Sequence, residues 1–166
     1  MQTFIYGFKP YGKFNENITE KIVSELPHSP NITKKVFEVE FNYEMFSSTL
    51  ELHRPDLIIG LGQHPRARKL RIERKARNIY KSENQNNCRI RDLGSDYLYC
   101  NLDLPVVEGA TKTYDAGTYV CNFSMYLMSE YSIKHKVKFA FLHVPVSIDE
   151  TFIHRYLINI IDKHKG

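Results

Sequence analysis

The chain has 166 residues, of which 42% are hydrophobic and 25% are charged, and its formal net charge is +4. This length and composition are those of one globular domain that can bury a proper core. No apolar run approaches the length of a membrane span, so no membrane partner is expected. The first residues lack the basic and apolar regions of a signal peptide, and the cytoplasm is the expected location.

The first third of the chain alternates between strand and helix patterns. Residues 2–6 predict a short strand that ends at Gly7. Asn17 and Glu20 have capping-box spacing and predict the start of a helix. Residues 34–41 alternate as a half-buried strand does. Residues 43–53 show helical spacing, which Pro55 closes.

The middle of the chain is harder to interpret. Residues 56–62 form an apolar run bounded by Pro and Gly and predict a buried strand. Residues 66–79 are charged and ambiguous. Residues 81–117 are polar and rich in Asn, Asp and Gly, which favours a loop with at most short strands.

The last third returns to alternation. Residues 122–131 predict a helix, and residues 138–144 predict a buried strand. Ser147 and Glu150 have capping-box spacing before a strongly amphipathic helical stripe.

This alternation predicts a single α/β domain over residues 1–166, with a mainly parallel or mixed central sheet and helices on both faces. Sites in such folds gather beyond the carboxyl ends of strands. Two stretches lie at such ends, Gly62-Gln63 and His143 to Pro145.

Cys121 is the first candidate for chemistry because it directly precedes the predicted helix at 122. A helix N-terminus favours negative charge and therefore the reactive thiolate. A buried structural cysteine is an equally good interpretation from position alone. The odd count of three cysteines, with Cys88 and Cys100, favours free thiols in a reducing compartment. No C-x-x-C pair is present, so no structural metal site is expected.

His143 and Glu73 are the next candidates. His143 interrupts an apolar strand, and an imidazole can take a proton from a thiol and return it to a leaving amine. A core histidine that is merely hydrogen-bonded is the alternative, and His64 is a weaker competitor for the same role. Glu73 is the only acid among seven cations in residues 66–77, where it could orient the base or form a simple salt bridge.

The basic run at 66–77 also suggests a rival function, because basic clusters attract phosphate-bearing partners. No aromatic stacking platform, nucleic-acid motif or strongly basic overall charge accompanies it. A solvated face is the preferred interpretation, and nucleic acid is not the expected partner.

Four blocks, in order, resemble the pyroglutamyl peptidase (pyrrolidone-carboxylate peptidase) family of cysteine peptidases. They are Gly7-Phe-Lys-Pro-Tyr-Gly12 with Asn17, Gly60-Leu-Gly-Gln63 with Glu73-Arg-x-Ala-x-Asn78, Ala116-Gly-Thr-Tyr-Val-Cys-Asn122, and Phe141-Leu-His-Val-Pro145. The resemblance runs from residue 5 to about residue 155. It selects the same three residues that the chemistry nominates.

The resemblance implies a thiol mechanism on peptides that carry an N-terminal pyroglutamate, with no metal or organic cofactor. Cys121 would be the nucleophile, His143 the acid and base, and Glu73 the residue that orients His143. It further implies a lactam pocket and leaves a homo-oligomer open. The pocket residues would be Phe8, Tyr11 and Tyr119, with Gln63 and Asn17 in polar supporting roles. Asn17 also has a separate interpretation as a helix N-cap.

Two segments depart from the family pattern. The small, glycine-rich stretch that follows the Gln in the family is here His64-Pro-Arg-Ala67, and residues 104–114 are too short for the family's further helix. The chain is also shorter at its C-terminus. A thiol hydrolase of the same fold that acts on a different amide or acyl substrate is therefore the first alternative. A nucleic-acid-binding protein that uses the basic run is the second.

Overall fold

The computed structural model describes residues 1–165, which form ten strands and four helices. The strands are β1 (Thr3–Phe8), β2 (Ile32–Phe37), β3 (Leu57–Gln63), β4 (Leu70–Glu73), β5 (Lys75–Arg77), β6 (Tyr80–Lys81), β7 (Asn87–Cys88), β8 (Tyr97–Tyr99), β9 (Ala110–Thr113) and β10 (Lys138–Val144). The helices are α1 (Ile18–Glu25), α2 (Tyr43–His53), α3 (Val120–His135) and α4 (Glu150–Lys163).

Six strands form the central sheet in the order β2-β1-β3-β10-β4-β9. Every neighbouring pair is parallel except β10 and β4, which are antiparallel. The short pairs β5–β8 and β6–β7 lie outside this sheet. The predicted mixed sheet in a single α/β domain is therefore confirmed.

Both faces of the sheet are covered, which explains why its inner strands are almost continuously apolar. On β1, Ile5 packs in an aliphatic layer with side chains of α1 and α4. Its neighbours Phe4 and Tyr6 pack in an aromatic layer with side chains of α2 and α3. The predicted helices on both faces are confirmed, and the two core layers differ in chemistry.

Side-chain caps fix the start of three helices. Asn17 Oδ1 accepts a hydrogen bond from Thr19 N at α1, and Asn42 caps α2 in the same way. At α4 the N-cap is Asp149, not the predicted Ser147. Ser147 lies inside a tight turn that the Ile148 N–H closes onto the Pro145 carbonyl, so the first extended residue before the helix is Asp149.

Several predicted boundaries were wrong for physical reasons. The first strand does not end at Gly7 but continues to Phe8. The second strand ends at Phe37 and not at 41, because Phe37 pairs with Phe8 and its partner strand ends there. The third helix begins before Asn122, so Cys121 lies in its first turn.

The ambiguous run at 66–79 contains β4 and β5, and the polar stretch that follows contains β9, which completes the central sheet. Within residues 1–165, no helix has the length and apolar character that crossing a membrane requires.

Candidate active site

The carboxyl ends of β3 and β10 bring Cys121 and His143 to the same point. His143 on β10 is the register partner of Gly62 on β3. A methyl carbon placed on Gly62 would lie 2.5 Å from the Cys121 sulfur and 3.1 Å from Cδ2 of His143. The missing side chain at Gly62 therefore provides the space in which the sulfur meets the imidazole ring.

The start of α3 presents the thiol at the positive end of a helix. Cys121 is the second residue of α3, and the N-cap residue Tyr119 provides no side-chain hydrogen bond to the first turn. The free amide groups and the helix dipole favour negative charge there. Asn122 is fully buried and fixes this turn to β5, since its amide exchanges two hydrogen bonds with the Arg77 backbone.

Glu73 reaches His143 diagonally across the antiparallel pair. Its register partner on β10 is Phe141, so His143 is two residues further along the same face. Glu73 Oε1 lies 2.8 Å from His143 Nδ1. Glu73 Oε2 accepts a hydrogen bond of 2.5 Å from Thr113 Oγ1 on β9. The Glu73 side chain has no exposed surface, so both oxygens are held inside the protein.

The environment of His143 favours its charged form. Burial opposes the charge, but the Cys121 sulfur, through its charge and a hydrogen bond, and the Glu73 carboxylate outweigh burial and raise the pKa of His143 to about 9. An imidazolium between a sulfur and a carboxylate is the charge distribution that an activated thiol requires.

The other two cysteines have different surroundings. Burial raises the pKa of the Cys100 thiol to about 12, which leaves it protonated at neutral pH. Cys88 is partly exposed in β7, outside the central sheet. Of the three free thiols, Cys121 alone faces a histidine that is paired with a carboxylate.

The five residues predicted to contact substrate fall into two groups. Tyr11 is half-buried, and Gln63 is buried at the end of β3. Burial and the nearby Cys121 sulfur raise the pKa of Tyr11, while a contact with Gln63 acts in the opposite direction. Among residues 1–165, Gln63 Nε2 forms no hydrogen bond, so its approach to Tyr11 is a contact and not a hydrogen bond. Tyr119, at the N-cap of α3, is 63% exposed.

Phe8 and Asn17 are engaged mainly with other parts of the protein. Phe8 packs against the rings of Tyr6 and Phe37 in the aromatic core layer. Asn17 accepts two hydrogen bonds from Thr19 and donates one to the Lys9 carbonyl, so three of the four hydrogen bonds that its amide can form are made within the protein.

An open cleft of about 720 Å³ lies beside the site. Its lining includes Gln63 and Asn17, and Phe14 and Val146 contribute apolar surface. Its lining does not include Cys121, His143 or Glu73. The cleft therefore adjoins the three predicted catalytic side chains without containing them.

Several side chains that hold this arrangement were not predicted from the sequence. Thr113 lay in a segment predicted as loop, and Arg71 lay in the ambiguous basic run. Asn122 was noticed only as part of the cysteine block. In β4, Leu70 and Ile72 alternate with Arg71 and Glu73. This alternation is the signal that could have identified a strand with one apolar and one polar face.

A thiol, an imidazole and a buried carboxylate in line at the carboxyl edge of an α/β sheet are typical of a cysteine hydrolase. The chain belongs to the pyroglutamyl peptidase family, whose model matches residues 1–101 and 104–158.

Individual relatives agree with this assignment. The pyrrolidone-carboxylate peptidase of Thermosipho africanus is 31% identical over 167 aligned residues, which cover 87% of this chain and 82% of that protein. A homologue with the same name from Saccharolobus islandicus is 27% identical and covers 88% of this chain and 80% of its own.

Solved structures show the same fold. Pyrrolidone carboxyl peptidase from Thermococcus litoralis superimposes with a TM-score of 0.81 at 21% identity, covering 99% of this chain and 96% of that one. Pyroglutamyl peptidase I from Bacillus amyloliquefaciens gives a TM-score of 0.81 at 22% identity, covering 94% and 92%. These likenesses concern the fold.

Proposed function

We propose that the protein is a cysteine peptidase that removes an N-terminal pyroglutamyl residue through a thioester intermediate, with Cys121 as nucleophile, His143 as acid and base, and Glu73 as the residue that orients His143. The observation that carries this proposal is the buried Glu73–His143 pair, whose ring faces the Cys121 sulfur. Membership of the pyroglutamyl peptidase family supports the reaction class and the substrate.

The first half of the reaction cleaves the amide. The Cys121 thiol proton passes to the imidazole of His143, and the sulfur attacks the pyroglutamyl carbonyl carbon. Backbone N–H groups in the first turn of α3 stabilise the oxyanion that forms. The imidazolium then donates its proton to the leaving nitrogen, the C–N bond breaks, and the pyroglutamyl group remains on sulfur as a thioester.

The second half releases pyroglutamate. His143 takes a proton from water, and the resulting hydroxide adds to the thioester carbonyl. The C–S bond breaks, and the proton on His143 returns to the sulfur. Throughout, the Glu73 carboxylate accepts a hydrogen bond from Nδ1 of His143, which keeps the other ring nitrogen directed at the reacting groups.

We assign substrate contact to Tyr11, Gln63 and Tyr119, which lie at or near the Cys121 end of the sheet. Tyr119 offers an exposed ring next to the nucleophile, and Gln63 offers an amide nitrogen that has no hydrogen-bond partner in the described part of the chain, residues 1–165. Phe8 in the aromatic core layer and Asn17 at the N-cap of α1 have supporting roles behind these three residues. Because the three cysteines are free, a reducing compartment such as the cytoplasm suits the enzyme.

The nucleic-acid alternative loses part of its basis. Arg71, Arg74 and Arg77 point into ion pairs with Glu73, Asp103 and Asp115 instead of forming a free basic surface. We do not favour this function. The alternative of a different amide or acyl substrate keeps the same catalytic groups and is an outcome of the experiment below.

The deciding experiment compares fluorogenic amides of pyroglutamate, proline and alanine, and then treats the enzyme with a pyroglutamyl chloromethyl ketone. We expect hydrolysis of the pyroglutamyl amide alone, and one covalent adduct that peptide mass spectrometry locates on Cys121. Cys121→Ser should lose both. Hydrolysis of only the other amides would move the protein to the different-substrate alternative, and an adduct on Cys88 with full activity of Cys121→Ser would overturn the mechanism.

A further inference from the structure

The arginine opposite the catalytic histidine is unusual for its position. Arg71 on β4 is the direct register partner of His143 on β10, so both side chains leave the sheet on the same face. Two basic side chains at directly opposed positions repel one another when both are charged. The arrangement is tolerable because Glu73 lies between them, with Oε1 3.1 Å from Arg71 Nε and 2.8 Å from His143 Nδ1.

The guanidinium of Arg71 is held from two further sides. Its Nη2 donates a hydrogen bond of 3.1 Å to the Asp115 carbonyl, in the segment that leads to Cys121. Its Nη1 lies 3.2 Å from Nε2 of His64, the residue after β3. Arginine can only donate, so His64 Nε2 accepts and this ring is neutral. The Nε–H of Arg71 does not point at Glu73, so that contact is electrostatic and not a formed hydrogen bond.

We propose that Arg71 is a positioning residue for the catalytic set. Its guanidinium holds the Glu73 carboxylate against His143 and weakens the stabilisation that this carboxylate gives to the imidazolium. The guanidinium also links Glu73 to the segment that carries Cys121. This inference rests on the proposed function for its kinetic consequences. It assigns to the basic run a role within the site, because Arg71 belongs to that run and contacts His64, the first residue of the stretch that departs from the family pattern.

The charge balance gives the proposal a direction. The charged or titratable side chains that face His143 are Glu73 and Arg71 on β4, His64 after β3, and Cys121 on α3. Glu73 favours the imidazolium, and the guanidinium of Arg71 beside Glu73 opposes it. Removing the guanidinium leaves the carboxylate free to hold the proton on His143 more firmly. The proton then returns less readily to the leaving amine.

Arg77 provides a matched control on the neighbouring strand β5. Its Nη2 contacts the same segment as Arg71, at Asp115 Oδ1 (3.2 Å) and at the Gly117 carbonyl (3.3 Å). No contact joins it to Glu73, His64 or His143 among residues 1–165. Loss of Arg77 therefore weakens the anchoring of the segment without changing the charge beside the carboxylate.

The experiment compares Arg71→Met, Arg71→Lys and Arg77→Met with the unmodified enzyme. For Arg71→Met we expect kcat on a pyroglutamyl amide to fall about tenfold or more with KM nearly unchanged, and the alkaline limb of the pH profile to move to higher pH. Arg71→Lys keeps the charge and should keep the limb in place, with only part of the loss in kcat. Arg77→Met should lower the melting temperature and leave the limb where it is.

An NMR titration of the His143 ring, assigned by its absence in His143→Asn, gives the same test without substrate. Its midpoint should rise in Arg71→Met and stay unchanged in Arg77→Met. If the enzyme does not hydrolyse pyroglutamyl amides, the proposed function fails, but the titration still decides the role of Arg71. Equal midpoints and equal losses of stability in the two methionine variants would show that Arg71 is only a structural anchor, and would overturn the inference.

Discussion

Gly62 offers the sharpest test of how the site is built. A methyl group at this position would stand 2.5 Å from the Cys121 sulfur and 2.9 Å from the Phe141 ring. Ordinary contact needs about 3.5 Å, so Gly62→Ala forces the sulfur, the ring or the strand to move by roughly 1 Å. The backbone at Gly62 is not in a region that only glycine tolerates, so the contact with the site is the main penalty.

A misplacement of about 1 Å at a reacting centre costs on the order of 10²-fold in rate. We therefore expect kcat/KM on a pyroglutamyl fluorogenic amide to fall by about that factor in Gly62→Ala, which corresponds to about 2.7 kcal/mol of transition-state stabilisation. Overpacking should also cost about 1–3 kcal/mol of folding stability, measured by urea unfolding.

Gly60→Ala is the control, because it lies on the same face of the same strand. Its methyl group would approach the rings of Tyr6 and Phe141 to 2.5 Å and would not be directed at the sulfur. We expect a similar loss of stability and a much smaller loss of kcat/KM in the molecules that remain folded. If Gly62→Ala keeps full activity, or if both variants lose activity in proportion to stability, the placement of the thiol against Gly62 is not what the reaction depends on.

Four further outcomes follow from the same geometry. Iodoacetamide at neutral pH should modify Cys121 rapidly and leave the buried Cys100 intact, as peptide mass spectrometry would record. Glu73→Gln should lower kcat by about 10² or more with little change in melting temperature, whereas a purely structural salt bridge would give the reverse. The pKa of His143 is raised to about 9, above its value of 6.5 when unfolded, so the stability it contributes should be complete below pH 6.5 and lost as the pH rises through about 9; pH-dependent urea unfolding of His143→Asn beside the unmodified enzyme would show whether this slope vanishes. Asn17→Ala should cost about 1–2 kcal/mol of stability through the lost cap, and a loss of activity without a loss of stability would give Asn17 a direct role toward substrate.

The sequence predicted the sheet and its helices well where hydrophobic periodicity was strong. The strand at 138–144 and the helix at 43–53 have the predicted bounds, because each is an uninterrupted pattern with a clear stop. Predicted boundaries were wrong where the pairing partner determines the end of a strand. The register of β2 with β1, for example, decides that pairing stops at Phe37, and nothing in the local alternation records that partner.

The candidate site was harder to see because its polar residues do not face water. Glu73 and Arg71 alternate with Leu70 and Ile72 as in any half-exposed strand, yet they point at His143 and not at solvent. The stretches at the carboxyl ends of the two apolar strands, Gly62-Gln63 and His143 to Pro145, were picked out by position, whereas the substrate role predicted for Gln63 came from the resemblance to the family. Thr113 could not be found, because its strand exists only by pairing with β4.

The central position of β10 in the sheet determines when the sheet can be completed as the chain is synthesised. β10 lies between β3 and β4, although about seventy residues separate it from them along the chain. Until β10 has been synthesised, the central sheet can form only as two separate parts, β2-β1-β3 and β4-β9, and each part has an unpaired edge. The edge of β3 is apolar except for Gln63 at its end, and it stays unpaired until the final strand inserts, which exposes it to aggregation in a nascent or truncated chain. The same event delivers His143, so hydrolytic competence and protection of that edge arrive together.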